Sequence, residues 1–175
     1  MKVHIINVLV FLCLIANPDV RAADTTPQAY PAKIFQSTLL QIKSKTKIPI
    51  LLPSEFPVQI IENDIHFSVG SGNPNKYEIT LFYEEGAGYA AFVGYFSGEF
   101  IGKFLAKGKK VNLVNGVIGY FKGSSCGRSC SPSQISWQQD NVVYTLQLKL
   151  TIKSKAEEEQ AIIKVANSAI LGGAR

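Results

Sequence analysis

Apolar residues recur at helical spacing near the N-terminal side of the chain, between Tyr30 and Thr46. One stripe of three- and four-residue intervals contains Ile34, Phe35, Thr38, Leu39 and Ile42. This spacing predicts an amphipathic helix, and Pro31 suits its first turn, where the missing N–H would have no partner. The prolines that follow exclude a helix and predict an extended connector against the core: Pro49, Pro53 and Pro57.

The period changes to two from Val58 to Ile152, which predicts a run of strands. The segments 58–69 and 76–83 are the first two of them, and 71–75 is a turn rich in Gly, Pro and Asn. The segment YAAFVGYF, residues 89–96, is apolar on both faces, as expected for a central strand. Asn115-Gly116 and the residues around 139–141 predict tight turns of two further hairpins.

The helical period returns at the end of the chain. Ser154 and Glu157 have the spacing of a capping box, and Gly172-Gly173 is a helix end. Between them the apolar stripe consists of Ile162, Val165, Ala166, Ala169 and Ile170. A helix, antiparallel strands and a second helix predict an α+β fold. We expect a curved antiparallel sheet of six to seven strands, packed by an N-terminal and a C-terminal helix on one face and wetter on the other.

The N-terminal residues have the pattern of a secretory signal peptide. Lys2 precedes an apolar run from Ile5 to Ala16, and small residues follow at Val20 and Ala22. This run is shorter than the roughly 20 residues of a spanning helix. We therefore predict a signal peptide at 1–22, a flexible segment at 23–29 and a single α+β domain at 30–175. A retained N-terminal anchor is the alternative.

The two cysteines that would remain after cleavage are separated by three residues. Cys126 and Cys130 in an exported chain predict a disulfide. A redox pair normally has two intervening residues and precedes a helix, whereas Ser-Pro-Ser follows here. A zinc site would need further ligands, and the mature chain would hold His66 alone as its histidine. We predict a periplasmic or secreted protein without a metal ion or cofactor.

The charge of the chain is mildly basic. Removal of Lys2, Asp19 and Arg21 with the leader lowers the formal net charge from +5 to +4. Lysines are scattered, with small groups at 43–47 and 107–110. This balance permits contact with anionic envelope surfaces or polysaccharide and does not indicate nucleic acid. An envelope lipid, glycan or protein is the predicted partner class, and no transmembrane span is expected after cleavage.

Few residues offer catalytic chemistry. A hydrolytic triad needs a base beside its nucleophile, and His66, with Asp64 two residues away, is the candidate. Paired carboxylates for glycoside cleavage could come from Glu84 and Glu99. A structural histidine and solvated loop acids explain the same residues, so the sequence favours a protein that is not an enzyme.

Aromatic residues are concentrated between Tyr77 and Phe104. A core on both faces of the sheet would explain them. A concave sheet that accepts an apolar or glycan ligand is the functional interpretation, with the segment 96–110 as a rim or binding loop. The candidate ligand-binding residues are Tyr89, Tyr95, Phe96, Phe100, Phe104 and Lys107.

The C-terminal third carries a family resemblance. A strand with Trp137, a short turn, a strand with Tyr144 and a closing helix with Ala166 and Ser168 resemble the extracytoplasmic domain of anti-sigma-factor-like envelope regulators. The chain also resembles small exported bacterial proteins of unknown function. The resemblance implies a curved sheet with a packed helix that binds or senses a ligand in the envelope. The chain lacks a sigma-binding segment, so a direct anti-sigma role is not implied.

These observations predict an exported, non-catalytic binding or sensing module for an apolar, glycan or protein ligand. A secreted hydrolase acting on an ester or glycan is the first alternative, and it would depend on the acids and the histidine named above. A structural subunit of an envelope assembly is the second.

Overall fold

The computed structural model describes residues 32–56, 65, 67–84, 88–152 and 154–175. Short 3-10 helices occupy Lys33–Phe35, Gly88–Ala91 and Val114–Gly116. The α-helices and strands of the described residues are α1 Gln36–Lys43, β1 Phe67–Asn73, β2 Lys76–Phe82, β3 Phe92–Phe100, β4 Lys109–Asn112, β5 Ile118–Lys122, β6 Ser125–Cys126, β7 Cys130–Ser131, β8 Ser133–Gln139, β9 Val142–Leu148 and α2 Lys155–Gly172.

Seven strands form one antiparallel sheet in the order β1-β2-β3-β9-β8-β5-β4. Strands β6 and β7 form a separate small hairpin. Strand β3 lies between β2 and β9, as its apolar sequence predicts. The α+β fold with an open antiparallel sheet and one helix towards each end of the chain is confirmed.

The two tight turns form because their residues accept positive φ. Asn115 and Gly116 have φ of 56° and 72°, and Asp140 and Asn141 have φ of 50° and 65°. Positive φ at both central positions is the type I′ geometry that matches the twist of hairpin strands. The first hairpin differs from its prediction: β1 continues through Asn73, so the turn is confined to Pro74 and Asn75. Residues 58–64 of the predicted first strand lie outside the described residues.

The core lies on one face of the sheet, which we call the covered face. Alternate residues of β2, β3, β8 and β9 point to it, among them Ile79, Phe96, Ile135 and Leu146. Helix α1 packs against β1, and α2 packs against β8 and β9. The predicted stripe of α2 is buried there. Hydrophobic burial on this face is therefore the main force that holds the helices on the sheet.

Two buried tyrosines tie the proline-containing connector to the sheet. The Tyr77 hydroxyl donates to the Leu51 carbonyl at 3.2 Å and accepts from the Leu51 N–H at 3.1 Å. The Tyr144 hydroxyl donates to the Pro49 carbonyl at 2.9 Å. Burial raises the pKa of both phenols above the ordinary tyrosine value because the phenolate would lose its hydration. The connector therefore lies against the core, as predicted.

Helix α2 begins at a cap and carries a buried carboxylate in its first turns. The Ser154 hydroxyl accepts from the Glu157 N–H at 3.2 Å, as the capping box predicts. Glu158 is buried, and its Oε1 accepts from the Ser133 hydroxyl at 2.7 Å. The Ser124 N–H donates to its other oxygen at 3.4 Å. Ser124 precedes the β6–β7 hairpin and Ser133 follows it. The Glu158 carboxylate therefore joins both ends of that hairpin to α2.

Cys126 and Cys130 form the disulfide that their spacing predicts. Their Cα atoms are 4.0 Å apart, and the two residues face each other as a pair in the β6–β7 hairpin. Residues 124–131 are all exposed. The bridge closes a local loop and does not join distant elements of the fold.

Across the described ranges, no helix combines the length and the hydropathy that a membrane crossing would require.

Candidate functional site

The second face of the sheet, which we call the open face, presents polar side chains in two registered rows. The first, which we call the tyrosine row, crosses six strands and is about 24 Å wide at the usual strand spacing. Its central member, Tyr95, is half-buried between Thr80 and Gln147. From edge to edge the row consists of Val69, Thr80, Tyr95, Gln147, Gln134 and Lys122.

The second row, which we call the hydroxyl row, lies two residues further along each strand, about 7 Å away. It crosses all seven strands, and every member carries a hydroxyl, a carboxylate or an amine. In strand order it consists of Ser71, Glu78, Ser97, Thr145, Ser136, Tyr120 and Lys110.

Hydrogen bonds within the open face fix the orientation of its amides and hydroxyls. Ser136 and Thr145 share a hydrogen bond of 3.1 Å between their hydroxyl oxygens. Gln134 Nε2 donates to the Ser136 hydroxyl at 3.1 Å, and Gln147 Nε2 donates to the Pro132 carbonyl at 3.4 Å. These side chains are therefore arranged before any ligand arrives, which reduces the entropy lost on binding.

One connection crosses the open face. Residues 101–108, which we call the strap, join β3 to β4, and these strands are four strand spacings apart, about 19 Å. The Phe104 ring packs edge-on against Tyr120, with 5.6 Å between ring centroids. Because Tyr120 belongs to the hydroxyl row, the strap runs over the β5 side of the open face. Tyr95 and Thr80 lie towards the other side, on β3 and β2.

The five candidate ligand-binding residues whose side chains the structure describes separate into three groups. Tyr95 lies in the tyrosine row. Phe104 and Lys107 lie in the strap, and Phe100 is the residue of β3 that precedes it; Phe100 and Lys107 are exposed. Phe96 points to the covered face, is 3% exposed and packs against Phe35, so a ligand on the open face cannot reach it. Tyr89 belongs to the 3-10 helix Gly88–Ala91, and its side chain lies outside the described part.

The candidate catalytic residues do not form a site among the described residues. His66 and Asp64 lie outside the described ranges. Glu99 on β3 is opposite Lys76, whereas Glu84 follows the far end of β2. The whole of this seven-residue strand separates the two acids, a distance of about 20 Å. Glycosidase carboxylates are about 5–9.5 Å apart, so Glu84 and Glu99 cannot act as a pair.

Several members of the two rows were not predicted from the sequence, including Thr80, Tyr120 and Gln134. The alternation of buried and less buried residues along each strand could have indicated them, because each is the neighbour of a buried residue. Alternation assigns a residue to a face. It does not show which strands are neighbours, so it could not place Tyr95 between Thr80 and Gln147.

Two concave surfaces lie beside helix α2. One, of about 440 Å³, is lined by residues that include Lys109, Phe121 and Glu159. The other, of about 400 Å³, lies along the α2 face that carries Ile163, Asn167 and Leu171. Within the ranges that the structure describes, no group of three His, Cys, Asp or Glu side chains could hold a metal ion.

No protein-family model, curated protein or solved structure matches this chain. The resemblance of the C-terminal third to anti-sigma-factor-like envelope regulators therefore stays a prediction.

Proposed function

We propose that this protein is an exported, non-catalytic module that binds a glycan on the open face of its sheet. The observation that carries the proposal is the pair of registered rows, which place tyrosines among amides and hydroxyls across about 24 Å. The part of this face around Thr80 and Tyr95, on the side away from Phe104 of the strap, suits a short chain of sugars.

The chemistry of the rows favours a glycan over an apolar ligand. A sugar presents hydroxyls that exchange hydrogen bonds with Gln and Thr side chains, and its apolar ring face can lie on an aromatic ring such as Tyr95. An apolar ligand would remove water from the same hydroxyls and amides without replacing its hydrogen bonds, at a cost of about 1–3 kcal/mol for each buried group. The polar composition therefore selects polyhydroxylated ligands.

Replacing Tyr95 with alanine is expected to weaken glycan binding about tenfold, because the aromatic surface under the sugar ring is lost. Tyr95→Phe keeps that surface and should lose less than about threefold. Isothermal titration with muropeptides, dextran and an acidic polysaccharide measures both. Leu40→Ala, on the exposed side of α1, is the control and should bind as the unaltered protein does. Saturable binding to none of these glycans, or equal binding by Tyr95→Ala, would contradict the proposal.

If the protein is exported, cleavage of its signal peptide leaves a mature chain with a defined N terminus and a closed disulfide. Mass spectrometry of the native protein is expected to find an N terminus at Ala23 and a mass two hydrogens below that of the reduced form, because Cys126 and Cys130 are joined. An intact leader with both thiols free would remove the basis of the proposed location.

The two rival functions have separate tests. A hydrolase would turn over an ester or glycan substrate and would lose that activity in His66→Ala or Glu99→Ala. A structural subunit would elute as a stable oligomer on size exclusion at micromolar concentration. Glycan binding by a monomer without turnover is the result that the proposal expects.

A further inference from the structure

One edge of the sheet is built from a segment that has no acidic residue. Residues 100–139 contain five lysines and one arginine, and the acids on either side of this range are Glu99 and Asp140. The range comprises the strap and strands β4 to β8. Because the strand order places β8, β5 and β4 together at one edge, the positive charge of the segment is collected there, where it attracts anions.

Four lysines of this segment lie around the contact that holds the strap on the open face. In that contact the centroids of the Phe104 and Tyr120 rings are 5.6 Å apart. Two of the lysines lie in the strap, within three residues of Phe104. The third is opposite Tyr120 in the β4–β5 register, and the fourth follows Tyr120 by two residues on β5. All four are exposed, and we call them the lysine cluster: Lys103, Lys107, Lys110 and Lys122.

The lysine cluster is not neutralised within the described ranges. Its members form no ion pair there, whereas Lys109 is held by Glu159, at 2.8 and 2.9 Å from its Nζ to the two carboxylate oxygens. Strands β2 and β3 present Glu78 and Glu99 on the open face, and Glu78 is paired with Lys76 at 3.6 Å. These acids are at least three strand spacings from β5, about 14 Å, which exceeds the Debye length at physiological salt. The cluster is therefore available to an anionic ligand.

One member of the cluster also belongs to the tyrosine row. Lys122 ends this row, and the register runs from Tyr95 through Gln147 and Gln134 to Lys122. Three strand spacings separate Tyr95 from Lys122, about 14 Å. A short chain of sugars that lies on Tyr95 and follows the two amides therefore reaches a lysine. The row changes along its length from neutral hydrogen-bonding groups to positive charge.

We propose that the glycan bound on the open face is anionic, with a sugar ring on Tyr95 and carboxylate, sulfate or phosphate groups at the lysine cluster. This inference rests on the proposed glycan function and names the class of glycan. The position of Lys122 in the tyrosine row carries it, because one extended ligand then meets the ring, the amides and the charge.

Two other kinds of polyanion fit this row less well. A nucleic-acid strand stacks successive bases on aromatic side chains, whereas Gln147 and Gln134 follow Tyr95 in the row. A bilayer presents a flat surface, and the strap, which lies over the sheet, would meet that surface before the row does. An acidic glycan matches both the amides, which donate and accept hydrogen bonds, and the charge.

Dextran and carboxymethyl-dextran compare a neutral and an acidic glycan on the same backbone. Isothermal titration of the whole protein in about 0.1 M salt should show about tenfold tighter binding of carboxymethyl-dextran, since each exposed ion pair contributes about twofold. In about 1 M salt, where the Debye length is about 3 Å, that preference should fall below about twofold. Dextran binding should be the same at both salt concentrations, because it involves no ion pair.

Two triple variants test the lysines. One removes three members of the cluster and the other, as the control, removes three exposed lysines in and after α1, with the same change of net charge: K107Q/K110Q/K122Q and K43Q/K45Q/K47Q. The first should weaken binding of carboxymethyl-dextran about eightfold, and the control should weaken it less than about twofold. Both should bind dextran as the unaltered protein does, which shows that the open face is intact.

Equal affinities of the unaltered protein for the two polysaccharides would overturn this inference and leave the glycan function standing. Equal losses from the two triple variants would also overturn it, because they would show an effect of net charge alone. Binding of carboxymethyl-dextran that Tyr95→Ala does not weaken would overturn it as well, since the cluster would then bind polyanions without the row. Binding to neither polysaccharide would contradict the glycan function and this inference with it, and lysine-dependent binding to an oligonucleotide or to phosphatidylglycerol vesicles would then identify the partner.

Discussion

Replacing Gly98 with valine is expected to lower the free energy of unfolding by about 3 kcal/mol. Gly98 lies on β3 between Tyr77 of β2 and Tyr144 of β9. A Cβ atom added here would be 2.5 Å from Tyr77 Cε1 and 3.1 Å from Tyr144 Cε1. The Tyr77 ring cannot move away cheaply, because its hydroxyl holds both the N–H and the carbonyl of Leu51.

We attribute this loss of stability to overpacking. A second glycine, which has free space around it, provides the control for the other effects of a glycine-to-valine change. Gly102 lies at the start of the strap, and a Cβ added there would meet no atom within 4 Å. Gly102→Val should therefore change stability by less than about 0.5 kcal/mol. Urea denaturation followed by circular dichroism measures both variants. Similar losses in the two would show that the space between the tyrosines is not the reason for glycine at position 98.

Replacing Phe35 with alanine is expected to cost about 3–5 kcal/mol, as for other large aromatic residues removed from a core. Phe35 is fully buried just before α1. Its ring meets Phe96 edge-on at 5.1 Å and Phe56 at 5.6 Å between centroids. The three rings thus join the N-terminal helix, the connector and the central strand.

An exposed leucine of the adjoining helix controls for this change. Leu40→Ala should alter the free energy of unfolding by less than about 0.5 kcal/mol, because Leu40 makes little buried contact. If Phe35→Ala also unfolds at nearly the unaltered urea concentration, α1 is not an integral part of the cooperative unit. Hydrogen exchange of the α1 amides would then show fast exchange in the unaltered protein as well.

The open face shows why a binding site on a sheet is harder to predict than the sheet itself. Alternation predicted the buried members of β9, and the same alternation left Thr145 and Gln147 on the opposite face. Tyr95 was a candidate from the sequence because it is an aromatic residue in an apolar strand. Phe96 was a candidate for the same reason, and its burial follows only from the side of β3 that the helices cover.

Interactions between near neighbours in the chain were readable from the sequence alone. The Ser154 cap fixed where α2 begins, and the Asn-Gly and Asp-Asn pairs fixed two turns, because each depends on the φ angles and hydrogen bonds of a few adjacent residues. The two cysteines form a local bridge for the same reason. The number of strands and the positions of both helices followed from the spacing of apolar residues, which is helical in some segments and alternates in others.

The order of the strands was decided by the tertiary structure. The β8–β9 hairpin lies between β3 and β5, which places Gln147 beside Tyr95 and creates both polar rows. The same order requires the strap to cross three strands, the Phe104–Tyr120 contact places it on the open face, and the β2–β3 register separates Glu84 from Glu99. Backbone hydrogen bonds between strands are nearly the same for every side chain, so an antiparallel strand can pair with several neighbours. The choice depends on how all buried side chains pack together, which no short stretch of sequence contains.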